Sequence, residues 1–141
     1  MTSRIVRTRW LATAAGAMVI TAISSVSAQA NQALSTYYSS LYGYCDAKKI
    51  AAVWQTSIDN AKVVIGNKIL GNLQHLADAD IASARHVGCN WDETELTFED
   101  ALKLAHYWDR SPDSAKQKAA QIASRKGTKG MLTDLWSVIR R

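Results

Sequence analysis

Apolar residues recur along this chain at helical spacing, with no strand alternation long enough to matter. Ala47, Ile50, Ala51 and Trp54 fall at i, i+3, i+4 and i+7, which makes one face of a helix ending in Trp. The same face returns as Ala101, Leu104, Ala105 and Trp108. After a short break in each case, Ser57 and Ser111 stand where a helix N-cap belongs. The second copy adds Pro112 at the first helical position and Asp113 in the first turn, where a missing N–H costs nothing and a negative charge meets the positive helix end. Thr97 and Asp100 are spaced to cap the helix before it, with the acid in the place of the usual Glu or Gln of a capping box.

The two copies are related by a shift of 54 residues. Residues 46–62 and 100–116 then share nine identities over seventeen ungapped positions, among them Asp46/Asp100, Lys49/Lys103, Trp54/Trp108 and Ser57/Ser111. The repeated phrase, over 46–69 and 100–123, encodes a helix, a tight turn and a second helix. Open solenoid arrays need about three or more stacked units, so two copies point to a closed all-α bundle of helical hairpins. The tryptophans are expected in its core, the repeated aspartates at helix starts and the repeated lysines on a solvated face.

Other segments fit the same class. Residues 72–88 read as one more helix ending at Gly88, and Tyr37, Tyr38, Tyr42 and Tyr44 belong to a short helix or an aromatic strap. The basic stretch RKGTKG reads as a hinge, followed by a helix with Met131, Leu132, Leu135, Trp136 and Ile139 on one face.

Composition changes the picture at the amino terminus. Arg4, Arg7 and Arg9 precede a short apolar run rich in Ala, Ser and Thr, and Ala28-Gln29-Ala30 supplies a small-x-small site. This is the pattern of a secretory signal peptide over residues 1–30, with cleavage expected after Ala30 and export to the periplasm or the medium. Residues 31–141 then form a single all-α domain. Of the 17 Lys and Arg, three lie in the signal, so the mature chain sets 14 against 12 Asp and Glu. A net charge of +2 is no footprint for nucleic acid. The charge is unevenly spread, with 6 basic and 10 acidic residues over 31–109, but 8 and 2 over 110–141. Export makes a disulfide between Cys45 and Cys89 the expected state of the two cysteines.

No catalytic, metal or cofactor motif stands out. His86 near Cys89 is too little for zinc. The acidic run 91–100 lacks the alternating ligands and central Gly of a calcium loop. The expectation is a non-enzymatic interaction protein of the bacterial cell envelope, without cofactor, docking a protein partner through its helical surface and its basic carboxy-terminal unit, residues 125–141. The candidate contacts are Arg125, Lys126, Lys129, Trp136, Arg140 and Arg141. That unit also suits an anionic membrane surface, or packing on its own hairpins with its cations answering the acidic half. A small cell-envelope hydrolase using carboxylates of the 92–100 run (Asp92, Glu93, Glu95, Glu99 and Asp100) is the alternative from another class. Hairpin exchange between subunits would give a dimer, and the sequence does not set the oligomeric state.

Overall fold

The computed structural model describes residues 19–140, with side chains from residue 26 onward. The basic segment around Arg4, Arg7 and Arg9 lies outside the described residues, as does Arg141. The described chain is all helical: α1 (Val19–Tyr38), α2 (Tyr44–Trp54), α3 (Ile58–Leu70), α4 (Gln74–Ser83), a 3₁₀ turn at Trp91–Glu93, α5 (Phe98–Trp108) and α6 (Pro112–Ile139). Among these residues no helix is long and apolar enough to cross a membrane.

Local chemistry explains the boundaries. The Ser57 hydroxyl accepts from the Asn60 amide at the start of α3, and the Ser111 hydroxyl accepts from Ser114 at the start of α6, where Pro112 follows directly. Thr97 and Asp100 form a reciprocal capping box on α5. The helices α2 and α5 end one residue before Gln55 and Asp109, both in the left-handed region, and both α3 and α6 begin three residues further on. These bounds keep the 54-residue offset of the sequence.

Two apolar clusters form the core. One gathers Tyr37, Tyr42, Ile50, Ile65 and Ile81 from α1 to α4; the other gathers Leu104, Met131 and Leu135 with Ala115, Ala119 and Ala123. Matched positions of the two phrases are buried alike: Ala47/Ala101, Ile50/Leu104, Ala51/Ala105 and Ala61/Ala115. Helix α2 serves both clusters, because Cys45 on its first turn is bonded to Cys89 in the second. At Gly66 any Cβ would collide with the Ala33 carbonyl, so α1 and α3 touch backbone to backbone.

Three expectations are corrected. Trp54 is 52 % exposed, because it is the last residue of α2 and its neighbours no longer cover it; its Nε1 donates to Asp80 at 3.0 Å and the Lys68 ammonium lies over its ring at 4.9 Å. Trp108, by contrast, is half-buried and packs against the second cluster as expected, with Lys118 over its ring. Lys49 is not on a solvated face but fully buried. Helix α4 stops at Ser83 rather than near Gly88, because the Ala84 and Val87 carbonyls turn inward to that lysine.

Candidate functional site

The repeated Asp and Lys take different places in the two halves. Asp100 caps α5, and the Lys103 ammonium donates to the last helical carbonyl, Ile139, at 2.9 Å. Asp46 and Lys49 are instead 0 % exposed, under the stretch of α6 where the helix is interrupted. That interruption is Gly127, with φ 77° and ψ 175°, a conformation essentially reserved for glycine. A Cβ there would strike Asp46 Oδ1 and Ile81 as well. The stretch read as a hinge is a buried kink, and Asp46 fastens it.

Asp46 Oδ2 accepts from the Gly43 amide at 2.9 Å and from the Lys129 amide at 3.0 Å. One carboxylate thereby caps α2 and the second half of α6 together, as an anion at two positive helix ends should. Lys49 does the converse. Its ammonium donates to the Ala84, Val87 and Ser124 carbonyls at 2.8, 3.0 and 2.5 Å, joining the end of α4 to the first half of α6 just before the kink. All three of its protons are used.

Burial pushes the Asp46 carboxyl up to about 6, against the pull of the Gly43, Lys129 and Thr128 amides, and the Asp78 carboxylate adds to the rise. Burial lowers the Lys49 ammonium, and Asp46 opposes that shift. The consequence for stability has a definite sign. The unfolded carboxyl titrates at 3.8, so the contribution of this group is fully present below that pH and is lost as the pH rises through about 6. The expected loss between those limits is about 3 kcal/mol. Asp46→Asn should flatten this part of the stability curve, measured as urea midpoints from about pH 4 to 7. An unchanged slope in the variant would assign the dependence to other groups.

Beside the buried pair opens a cleft of about 420 Å³ between α4 and the kinked α6. Arg85, Arg125, Lys126 and Lys129 line it with Asp46, Asp78 and Asp134, and Ile81 and Ala82 add apolar lining. Lys126 is paired with Asp134 at 2.6 Å; Lys129 is paired with Asp78 at 2.7 Å and also donates to the Tyr42 hydroxyl.

No protein-family model, curated protein or solved structure matches this chain.

Of the contacts expected from sequence, the structure brings Arg125, Lys126 and Lys129 together in the cleft. Trp136 is 38 % exposed on the second half of α6, under the Arg140 guanidinium at 3.9 Å, and lines none of the cleft. Arg85 was not among the expected contacts. A single arginine in a helical stretch gives no signal of its own; only the fold brings it to the same cleft as Arg125.

The acidic run is occupied by structure. Glu93 pairs with Lys48 at 2.8 Å and accepts from the Asn90 amide, which holds its carboxyl below the usual range despite partial burial. Glu95 accepts from the Tyr44 amide at 2.9 Å, Glu99 lies 3.7 Å from Lys103, and Asp100 caps α5. Two of these contacts tie the run to α2 across the disulfide. Among the described residues no three His, Cys, Asp or Glu side chains are grouped to hold a metal ion. His106, which replaces Ala52 of the first phrase, faces a second cleft with Lys103, Tyr107, Ser137 and Val138.

Proposed function

We propose that this chain is an exported, non-enzymatic interaction protein of the bacterial cell envelope, docking a protein partner through the basic cleft between α4 and α6. The observation that carries the proposal is that Arg85 and Arg125, neither with an ion pair or hydrogen bond in the described chain, line the same cleft. Basic residues that answered only acids of the same chain would all be paired within it, as Lys126 is with Asp134 and Lys129 with Asp78. Helix α6 otherwise packs inward through Met131 and Leu135, so its role in docking is to present this wall rather than to detach.

Export is supported by the signal-like pattern, the disulfide and the burial along α1. Residues 26–29 are exposed, and among the described side chains the first buried one is Ala33, so cleavage after Ala30 removes no described core side chain. The contacts made by the glutamates of the acidic run, caps and ion pairs, support a structural role for them.

Photo-cross-linking in intact cells tests the proposal. Ala82 and Thr133 are exposed and uncharged residues of the cleft, and Asn60 is exposed elsewhere. A discrete protein adduct is expected from the first two positions and not from the third. Absence of any adduct from the cleft, or the same adducts from all three, contradicts the proposal.

A further inference from the structure

Among the described residues, Arg85 and Arg125 are the only lysines or arginines that make no ion pair, hydrogen bond or ring contact. Both line the same cleft. Every other described lysine or arginine has such a contact, so the two guanidiniums that lack one are left available to a ligand of this cleft.

Their position follows from the buried lysine. Arg85 directly follows Ala84 and Arg125 directly follows Ser124, and the Ala84 and Ser124 carbonyls both accept from the Lys49 ammonium. One fully buried charge therefore clamps together the two backbone segments that carry the free side chains. Asp46 fixes the other end of the same wall through the Lys129 amide.

We propose that the cleft binds a short acidic and apolar segment of a partner protein, with Arg85 and Arg125 as a paired fork for its carboxylates; this rests on the interaction reading above and names the chemistry of the partner. Guanidinium presents planar paired donors that match a carboxylate. The remaining wall selects against denser anions. Asp78 and Asp134 stand in the cleft, and although each is paired with a lysine they repel a polyphosphate, a nucleic acid or a phospholipid headgroup layer more than a single carboxylate. Ile81 and Ala82 in the lining suit an apolar side chain next to the acid. The volume fits a few residues rather than a folded surface, within the roughly 300–1,000 Å³ usual for ligand pockets.

Fluorescence anisotropy on the oxidised exported chain tests this. The probe is a dye-labelled Leu-Glu-Leu-Glu-Glu peptide, compared with its Leu-Gln-Leu-Gln-Gln counterpart and with inorganic phosphate as competitor at fixed ionic strength. The acidic peptide is expected to bind, the amide peptide to bind at least about tenfold more weakly, and Arg85→Gln or Arg125→Gln each to weaken the acidic peptide about tenfold. Lys118→Gln, outside the cleft, should change nothing. Both arginines are exposed, so the variants keep the fold, which thermal melting verifies. Equal binding of the two peptides, no binding, or arginine variants that bind like the parent overturns the inference. Competition by phosphate at fixed ionic strength also overturns it, in favour of a phosphate-bearing ligand. If the peptide fails while cells still yield a cleft adduct from Ala82, the interaction reading stands and only the carboxylate fork is removed.

Discussion

Replacing Lys49 by Met should destabilise the fold by about 4–5 kcal/mol. Methionine fills the channel of the lysine stem, so packing is nearly preserved, and the cost falls on the carbonyls. Ala84, Val87 and Ser124 lose a common donor, and the Ala84 residue is itself fully buried. Each buried acceptor left without a partner costs about 1–3 kcal/mol, while the relieved desolvation of the ammonium returns part of the sum. For a domain whose whole stability is expected to be roughly 5–15 kcal/mol, that is a large share. Urea unfolding followed by circular dichroism gives the number. A loss under about 1 kcal/mol would mean that the three carbonyls find other donors and that Lys49 frames nothing.

Cys45→Ser with Cys89→Ser should cost about 4 kcal/mol by loop-closure entropy. The bond spans 44 residues and joins α2 to the segment before the 3₁₀ turn, with Cα atoms 5.9 Å apart. That loop contains α3 and α4, so the bond draws the first cluster onto the second. Other contacts cross the same seam, notably Lys48 with Glu93 and the Tyr44 amide with Glu95. These exposed or half-exposed contacts are weaker, and they should not hold the seam at the parent's stability once the bond is gone. Comparing oxidised parent, reduced parent and the serine pair separates the covalent effect from the substitution. Equal unfolding midpoints for all three would show that the two halves dock without it.

The helices were legible because their signals are local. A serine or threonine followed by an acid within one turn satisfies orphan amides wherever the chain goes next, and so Ser57, Thr97 and Ser111 mark helix starts in sequence and in structure alike. Trp54 was misplaced because helical spacing gives a residue's face but not whether a neighbour still covers it at the helix end. Lys49 was misplaced for a deeper reason. Its burial depends on carbonyls 35, 38 and 75 residues away, and no pattern inside α2 distinguishes it from Lys103, its counterpart in the second phrase. The cleft was half legible: a basic stretch named Arg125, Lys126 and Lys129, but which of them would be neutralised by Asp78 and Asp134, and that Arg85 would face them, are properties of the packed helices.

The central claim is that the cleft between α4 and α6 is where a partner docks, and cross-linking from Ala82 in cells tests it most directly when it is run in the parent and in an Arg125→Glu background. The account predicts a single adduct in the parent that falls to background with the charge reversed, while the cross-linked variant remains folded and oxidised. An adduct of undiminished yield in the Arg125→Glu chain would contradict it.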